Sequence, residues 1–308
     1  MIAIASDHDR HLASIALVAR LGDGPRPLSP KKYWALLEQL EGDPTLASES
    51  DLADVRTLSA RQTSAALHIT ELKSQAITVL TPFHEQYPQR YLERLGQLAP
   101  PLLYAAGHLD VANQPDVTAI GIVGSRGASD VELTFAEELG QECASHGFHT
   151  VSGGAKGIDA AGLNAAWTSG GFVLAVLAEG VRRAIRRRGL RQIIADEQGA
   201  ILSAVHPDAG FSVGAAMGRN KLVYAASELT VVAAVEEGQG GTWSGADEAL
   251  RRGFGRVAVM KGAGAEAALI ERGAFSIESP AAIRGLLAEL AVAEPEPDPR
   301  DAVQSSLF

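Results

Sequence analysis

The chain has 308 residues, 46% of them hydrophobic, and 27 basic against 37 acidic side chains give it a formal charge of −10. That length buries a substantial core, and that charge excludes a uniformly basic, histone-like binder while leaving room for a local basic site. A single cysteine, Cys143, excludes a disulfide framework and any zinc site built on several thiolates. Asp7, His8, Asp9, Arg10 and His11 fall where a signal peptide needs an unbroken apolar run, and no apolar stretch has the length to span a bilayer. The expectation is a cytoplasmic protein with no membrane partner.

Residues 1–75 read as a small helical domain. Ser29-Pro30 is a helix-start pair, a capping serine followed by a proline tolerated in the first turn, and Trp34, Leu37 and Leu40 follow at helical spacing before Gly42 ends the run. A second amphipathic stretch runs from Ser59 to about Leu72. From about Ala76 short β-branched runs alternate with helical patterns. Val117–Val123 is a continuous apolar run, as in a strand buried on both faces. A helix over Asp130–His146 follows, stopped by Gly147. Then come Phe148–Val151 (strand), Ile158–Ser169 (helix), Phe172–Ala178 (strand), Leu190–Gln198 (helix) and Ala200–Val205 (strand). Leu222–Ser227 (helix), Leu229–Val235 (strand), Ala246–Arg252 (helix) and Val257–Met260 (strand) complete the series. This alternation predicts an α/β fold with a parallel, doubly wound sheet over 76–278. In 279–308 a last helix, Pro280–Leu290, passes into Glu294-Pro-Glu-Pro-Asp-Pro-Arg-Asp301, whose alternating prolines and acids predict a disordered tether.

In an open parallel sheet, ligands bind beyond the carboxyl ends of the strands, where loops enter helix N-termini rich in unpaired amides. Three turns have the chemistry for an anion there: Gly124-Ser125-Arg126, Ser152-Gly153-Gly154-Ala-Lys156-Gly157-Ile-Asp159, and Gly238-Gln-Gly240-Gly241-Thr242. Glycine lets backbone approach a ligand, and a hydroxyl or cation lies beside it. Gly218-Arg219-Asn220-Lys221, read as opening the next helix, adds two cations that could grip phosphates around an asparagine that could read a polar edge. Arg182, Arg183, Arg186, Arg187, Arg188 and Arg191 place six guanidinium groups in ten residues, equally suited to a nucleic-acid track or to a solvated, acid-paired face. Phe211, Tyr224 and Trp243 are candidates to stack on bases.

Neither GxGxxG nor GxxxxGK[ST] is present, which argues against a dinucleotide oxidoreductase or a nucleoside triphosphatase. There is no Ser/His/Asp set and no metal-spaced cluster. Asp196-Glu197 and Asp247-Glu248 are adjacent pairs that point apart on a helix, unlike a general acid/base couple. The chemistry reads as binding without catalysis and without a cofactor.

Together, Tyr87-Pro88, Leu98–Gly107, Gly124-Ser125-Arg126, Ser152–Asp159 and Arg219-Asn220-Lys221, in that order over about 79–262, resemble the DNA-processing protein A (DprA, also called Smf) family. That family belongs to the Rossmann-like SLOG superfamily. The leading helices, with Leu21–Pro25, resemble its N-terminal helical domain more loosely. The resemblance implies an extended Rossmann-like fold that binds single-stranded DNA as a homodimer and assists loading of the RecA recombinase in transformation or recombination. It further implies that Gly124, Ser125 and Arg126, then Ser152, Gly153, Lys156 and Gly157, then Arg219 and Asn220 contact phosphates. The chain departs from the family pattern at Leu163, Ser203-Ala204, Lys221 and Gly240–Ser244. The wider superfamily holds nucleotide-signal sensors and phosphoribohydrolases. Where those hydrolases carry glutamate three residues after Gly-Thr, this chain has Gly245, which argues against that enzyme.

The terminal Gln304-Ser-Ser-Leu307-Phe308 resembles the peptide by which bacterial replication and repair proteins bind the sliding clamp. An extended tether offering one amide and two large apolar side chains fits a groove, and DNA binding would supply a second attachment. The leading expectation is a DprA-like single-stranded DNA binder. A nucleotide-signal sensor is the alternative.

Overall fold

In the computed structural model, residues 5–22, 24–109 and 117–292 are described; the clamp-like peptide with Gln304, Leu307 and Phe308 lies outside them. Four helices lead the chain: α1 (Asp7–Val18), α2 (Pro30–Gln39), α3 (Ala53–Ser59) and α4 (Gln62–Lys73). The Ser29 hydroxyl accepts from the Lys32 amide at 3.4 Å, with Pro30 in the first turn of α2, as the sequence signals require. Helix α1 carries a Ser6/Asp9 capping box that the sequence reading did not use.

Among the described residues the sheet has nine strands: β1 (Thr78–Leu80), β2 (Leu103–Gly107), β3 (Ala119–Gly124), β4 (His149–Ser152), β5 (Val173–Leu177), β6 (Gly199–Ser203), β7 (Leu229–Ala234), β8 (Arg256–Met260) and β9 (Phe275–Ile277). Between them run α5 (Gln89–Leu95), α6 (Asp130–Ser145), α7 (Ile158–Thr168), α8 (Val181–Ala184), α9 (Arg188–Ala195), α10 (Val213–Ala226), α11 (Gly240–Arg252) and α12 (Glu266–Ile270); α13 (Ile283–Val292) closes the described chain. Their order is β1-β2-β6-β5-β4-β3-β7-β8-β9, parallel except where β1 meets β2 and β2 meets β6. From β3 the chain winds outward through β4, β5 and β6, then returns to the other side of β3 for β7 and β8. The strand order therefore reverses at β3/β7, and the carboxyl ends of these two strands open a crevice. The doubly wound, mostly parallel α/β fold is as expected; the antiparallel β1–β2 extension and the short β9 were not legible.

Apolar strands explain burial on both faces: Ile120, Ile122, Val231 and Val232 are sealed between helix layers. The core does not stop where the helices give way to strands. One apolar cluster joins Ile15, Ala16, Ala65 and Leu72 to Ile77, Val79, Tyr104 and Val173. Cys143 is buried in α6, and burial pushes its thiol up to about 12, which leaves it inert.

Two histidine pairs cross the same junction. His11 of α1 lies 5.1 Å from the His84 ring, and His68 of α4 lies 6.5 Å from His206, with Tyr104 against both. Burial lowers all four pKa values, aided by the partner ring for His11 and His68 and by Arg182 and Arg20 for His206; His11 is brought to about 4. Imidazoles neutral in the fold but protonated when unfolded below about pH 6.5 favour unfolding as acid is added. Stability should be flat above pH 7 and fall between about pH 6.5 and 4, with His11 alone contributing roughly 2–3 kcal/mol. Urea titrations across this range check it, and His11→Gln should flatten the decline.

Candidate functional site

A cavity of about 520 Å³ occupies the β3/β7 crevice. Gly124, Ser125 and Arg126 from the turn after β3, Arg219 and Asn220 from α10, and Gly240, Gly241 and Thr242 from the start of α11 all line it. Gly153, Gly154 and Lys156 line an adjoining cavity of about 260 Å³ that shares Arg126, Phe211 and Arg219 with the first. The sequence-predicted turns thus converge on one rim of the sheet.

The rim is assembled around a residue that was not singled out from the sequence. Asp159, in the first turn of α7, is 4% exposed and receives the Ala155 amide at 3.4 Å, the Gly124 backbone and the Arg219 guanidinium at 3.5 Å. Burial raises its pKa, against the lowering pull of Arg219 and the two backbone donors. One carboxylate therefore ties the first turn, the second turn and α10 together. The signal for it was present, since Gly-Ile-Asp closes the second motif.

Glycines make this junction possible. A Cβ on Gly153 would fall 1.2 Å from an Arg219 nitrogen, so the guanidinium lies directly on this backbone. Gly157 has φ +86°, and a Cβ there would meet the Ser125 carbonyl oxygen at 2.6 Å, so the two turns touch through it. Gly157→Ala should lower unfolding free energy by about 2–4 kcal/mol, through backbone strain and this overlap, as read by denaturant titration. An unchanged midpoint would show that the turns do not meet here.

Several expected site residues have other tasks. Ser152 is fully buried and its hydroxyl donates to the Ile122 carbonyl at 2.5 Å, so it joins β4 to β3 and offers no side chain to a ligand. Asn220 donates to the Gly241 carbonyl at 2.9 Å, pinning α10 to α11. Lys221 faces the opposite flank of α10, away from the large cavity. Gly218–Lys221 lies in the body of α10, which begins at Val213 under a Ser212 cap, rather than opening a helix. Gly240–Thr242, read as a turn, forms the first turn of α11, whose cap residue Gln239 makes no side-chain hydrogen bond. Its amides are the ones directed at the crevice.

Of the aromatic candidates, Tyr224 is buried at 1% exposure and Trp243 lies under Arg272, 4.8 Å from the guanidinium carbon. Phe211 alone is presented, 54% exposed, with the Arg126 guanidinium 5.4 Å above its ring. Among the arginine cluster, Arg182 pairs with Asp208 at 2.6 Å and Glu71 at 3.2 Å, and Arg187 with Glu179 at 2.8 Å. Arg183, Arg186, Arg188 and Arg191 are exposed.

The mouth therefore holds two exposed cations without an ion pair among the described residues, Arg126 and Lys156, beside an exposed phenyl ring. Deeper in, the Tyr224 hydroxyl and the Arg219 Nε are buried with no hydrogen-bond partner. Glu236 also lines the large cavity and bounds the electropositive part. No helix among the described residues is long and apolar enough to cross a membrane, and no group of three or more potential metal ligands occurs among them.

A Rossmann-like sheet whose glycine-rich turns gather at its reversal point has the architecture in which α/β proteins place a ligand crevice. The family model of DNA recombination-mediator protein A matches residues 78–287, and the chain belongs to that family, also known as DprA or Smf. Protein Smf of Synechocystis is 32% identical over 156 residues, which cover 50% of this chain and 38% of that relative. The fold matches DNA processing protein A from Streptococcus pneumoniae with a TM-score of 0.69 at 21% identity, over 93% of this chain and 98% of that one. It also matches DNA processing protein A from Helicobacter pylori, a protein described for its single-stranded DNA binding mode, with a TM-score of 0.57 at 21% identity over 71% and 97% of the two chains.

Proposed function

We propose that this protein binds single-stranded DNA in recombination, without catalysis or a bound cofactor, and that the β3/β7 crevice holds the strand. The observation that carries this reading is the meeting of unpaired Arg126 and Lys156 with the exposed Phe211 ring at the mouth of a backbone-lined cavity. Cations and α11 amides suit phosphates, and the ring suits a base. Membership of the family supports the assignment. The wider expectations go with it: a cytoplasmic homodimer that hands the strand to a RecA-type recombinase in transformation or a related pathway, and a terminal Gln304–Phe308 peptide that docks on a sliding clamp.

A nucleotide sensor is the second reading, favoured by the size of the crevice, whose 520 Å³ matches a small-ligand pocket. Fluorescence anisotropy with a single-stranded oligonucleotide, a duplex and mononucleotides separates the two. Strand binding should outrank both competitors and weaken steeply with salt, with a log–log slope of about −0.7 per phosphate held. Tight mononucleotide binding with a shallow slope would replace the first reading with the second.

A further inference from the structure

Helix α10 is a wall with a cavity on each side. Val213, Ala216, Met217, Asn220 and Tyr224 face the 520 Å³ crevice, whereas Ala215, Gly218, Lys221 and Leu222 face a second cavity of about 360 Å³. These sets alternate at helical spacing, so they are two flanks of one helix. The far side of the second cavity is built by the segment linking α1 and α2, including Arg20 and Leu28, and by Pro101, Tyr104 and His206 of the sheet layer.

Its charge is unlike that of the protein. The chain carries −10 overall, yet this cavity is lined by Arg20, Arg219 and Lys221, beside the neutral His206, with no aspartate or glutamate among the described residues. Arg219 is neutralised by Asp159 on the other side. No ion pair or hydrogen bond engages the side chain of exposed Arg20 or half-buried Lys221 among the described residues. Glu248 and Arg252 act on the Lys221 ammonium with opposite signs, and burial dominates, lowering its pKa. A partly desolvated ammonium without a fixed counter-ion gains from an incoming anion. The remaining lining is leucine, proline, valine and alanine with Gly218 and the buried Tyr104, which suits a flat apolar ring better than a small inorganic ion.

The wall between the cavities is low. A Cβ at Gly214 or Gly218 would meet nothing within 4 Å; between them Ala215 and Ala216 are small, and Met217 stands on the crevice side. Arg219 borders both spaces. We infer that a single strand held in the β3/β7 crevice crosses the first turns of α10 and places a further nucleotide in the second cavity, its phosphate at Arg20 and Lys221 and its base on the leucine-proline floor. The volume fits one nucleotide. This inference rests on strand binding at the crevice and adds a second subsite to which the leading helices contribute.

The test measures binding of labelled oligothymidylates of about four and about sixteen nucleotides to the full chain by anisotropy. Gly218→Leu fills the second cavity and replaces a helical glycine with a better helix former, so the helix is kept. Arg20→Gln with Lys221→Gln removes the cations. Both variants should weaken the longer strand about fivefold or more and leave the shorter one unchanged, and the cation pair should flatten the salt slope by about 1.4. Unchanged binding of the longer strand in both variants, or equal loss for both lengths, overturns the second subsite. If Gly218→Leu lowers the melting temperature, the Arg20/Lys221 pair decides. Should Arg126→Ala with Lys156→Ala weaken binding while these variants do not, only the second subsite fails. A parent chain that binds neither strand overturns the crevice assignment as well.

Discussion

Asp159→Ala should lower the unfolding free energy by about 3–5 kcal/mol, because it leaves the Arg219 guanidinium buried without its counter-charge. Arg219 is only 9% exposed and rests on the Gly153 backbone, so it cannot swing into water without opening the second turn. Asp159→Asn keeps the shape and one acceptor and should cost less. Replacing the pair together, Asp159→Leu with Arg219→Met, should recover much of the single-variant loss, since two apolar groups leave no stranded charge. A double-mutant cycle in urea reads the coupling, and a loss below about 1 kcal/mol for Asp159→Ala would mean that the three segments are not tied through this carboxylate. The same variant should weaken strand binding, because the first and second turns lose their common anchor.

Arg126→Ala and Lys156→Ala should each weaken oligonucleotide binding by about tenfold or more, as charge-assisted phosphate contacts are worth roughly 1.5–3 kcal/mol. Together they should flatten the salt slope by about 1.4, while stability stays nearly unchanged because both side chains are exposed and unpaired. Phe211→Ala should cost about 1–3 kcal/mol of binding with little change in slope, which separates stacking from charge. Leucine at this position should restore packing but not stacking. If the Arg126/Lys156 double variant binds like the parent, the mouth of the crevice is not where the strand lies.

Regularity decided what the sequence could reveal. Most of strands β3 to β8 are short, largely apolar runs alternating with helical patterns, so their existence and parallel arrangement were legible, as was the serine cap of α2; the Ser129 cap of α6 was not used. Helix α10 was read as beginning at Leu222 because Gly214 and Gly218 depress helix propensity; Ser212 capping and packing against the sheet override them. That displacement turned Arg219 from a helix-start cation into a buried partner of Asp159. Strands β1 and β2 are short and antiparallel, with their pairing set by distant β6, which no local pattern encodes. At the site, the convergence of turns followed from the rule for open sheets, but the division of labour did not. Ser152 and Asn220 hold the scaffold, Tyr224 is enclosed, and Lys221 looks the other way, distinctions set by helix phase and strand pleat rather than by residue type.

The apolar contact of Ile15, Ala65 and Leu72 with Ile77, Val79 and Tyr104 has a practical outcome for anyone trimming the protein. A fragment starting after residue 75 would bare an oily stripe along the outermost strand, next to an edge whose amides and carbonyls are open to pairing. Such a piece should self-associate on a sizing column, whereas the intact chain keeps that stripe covered by its own leading segment.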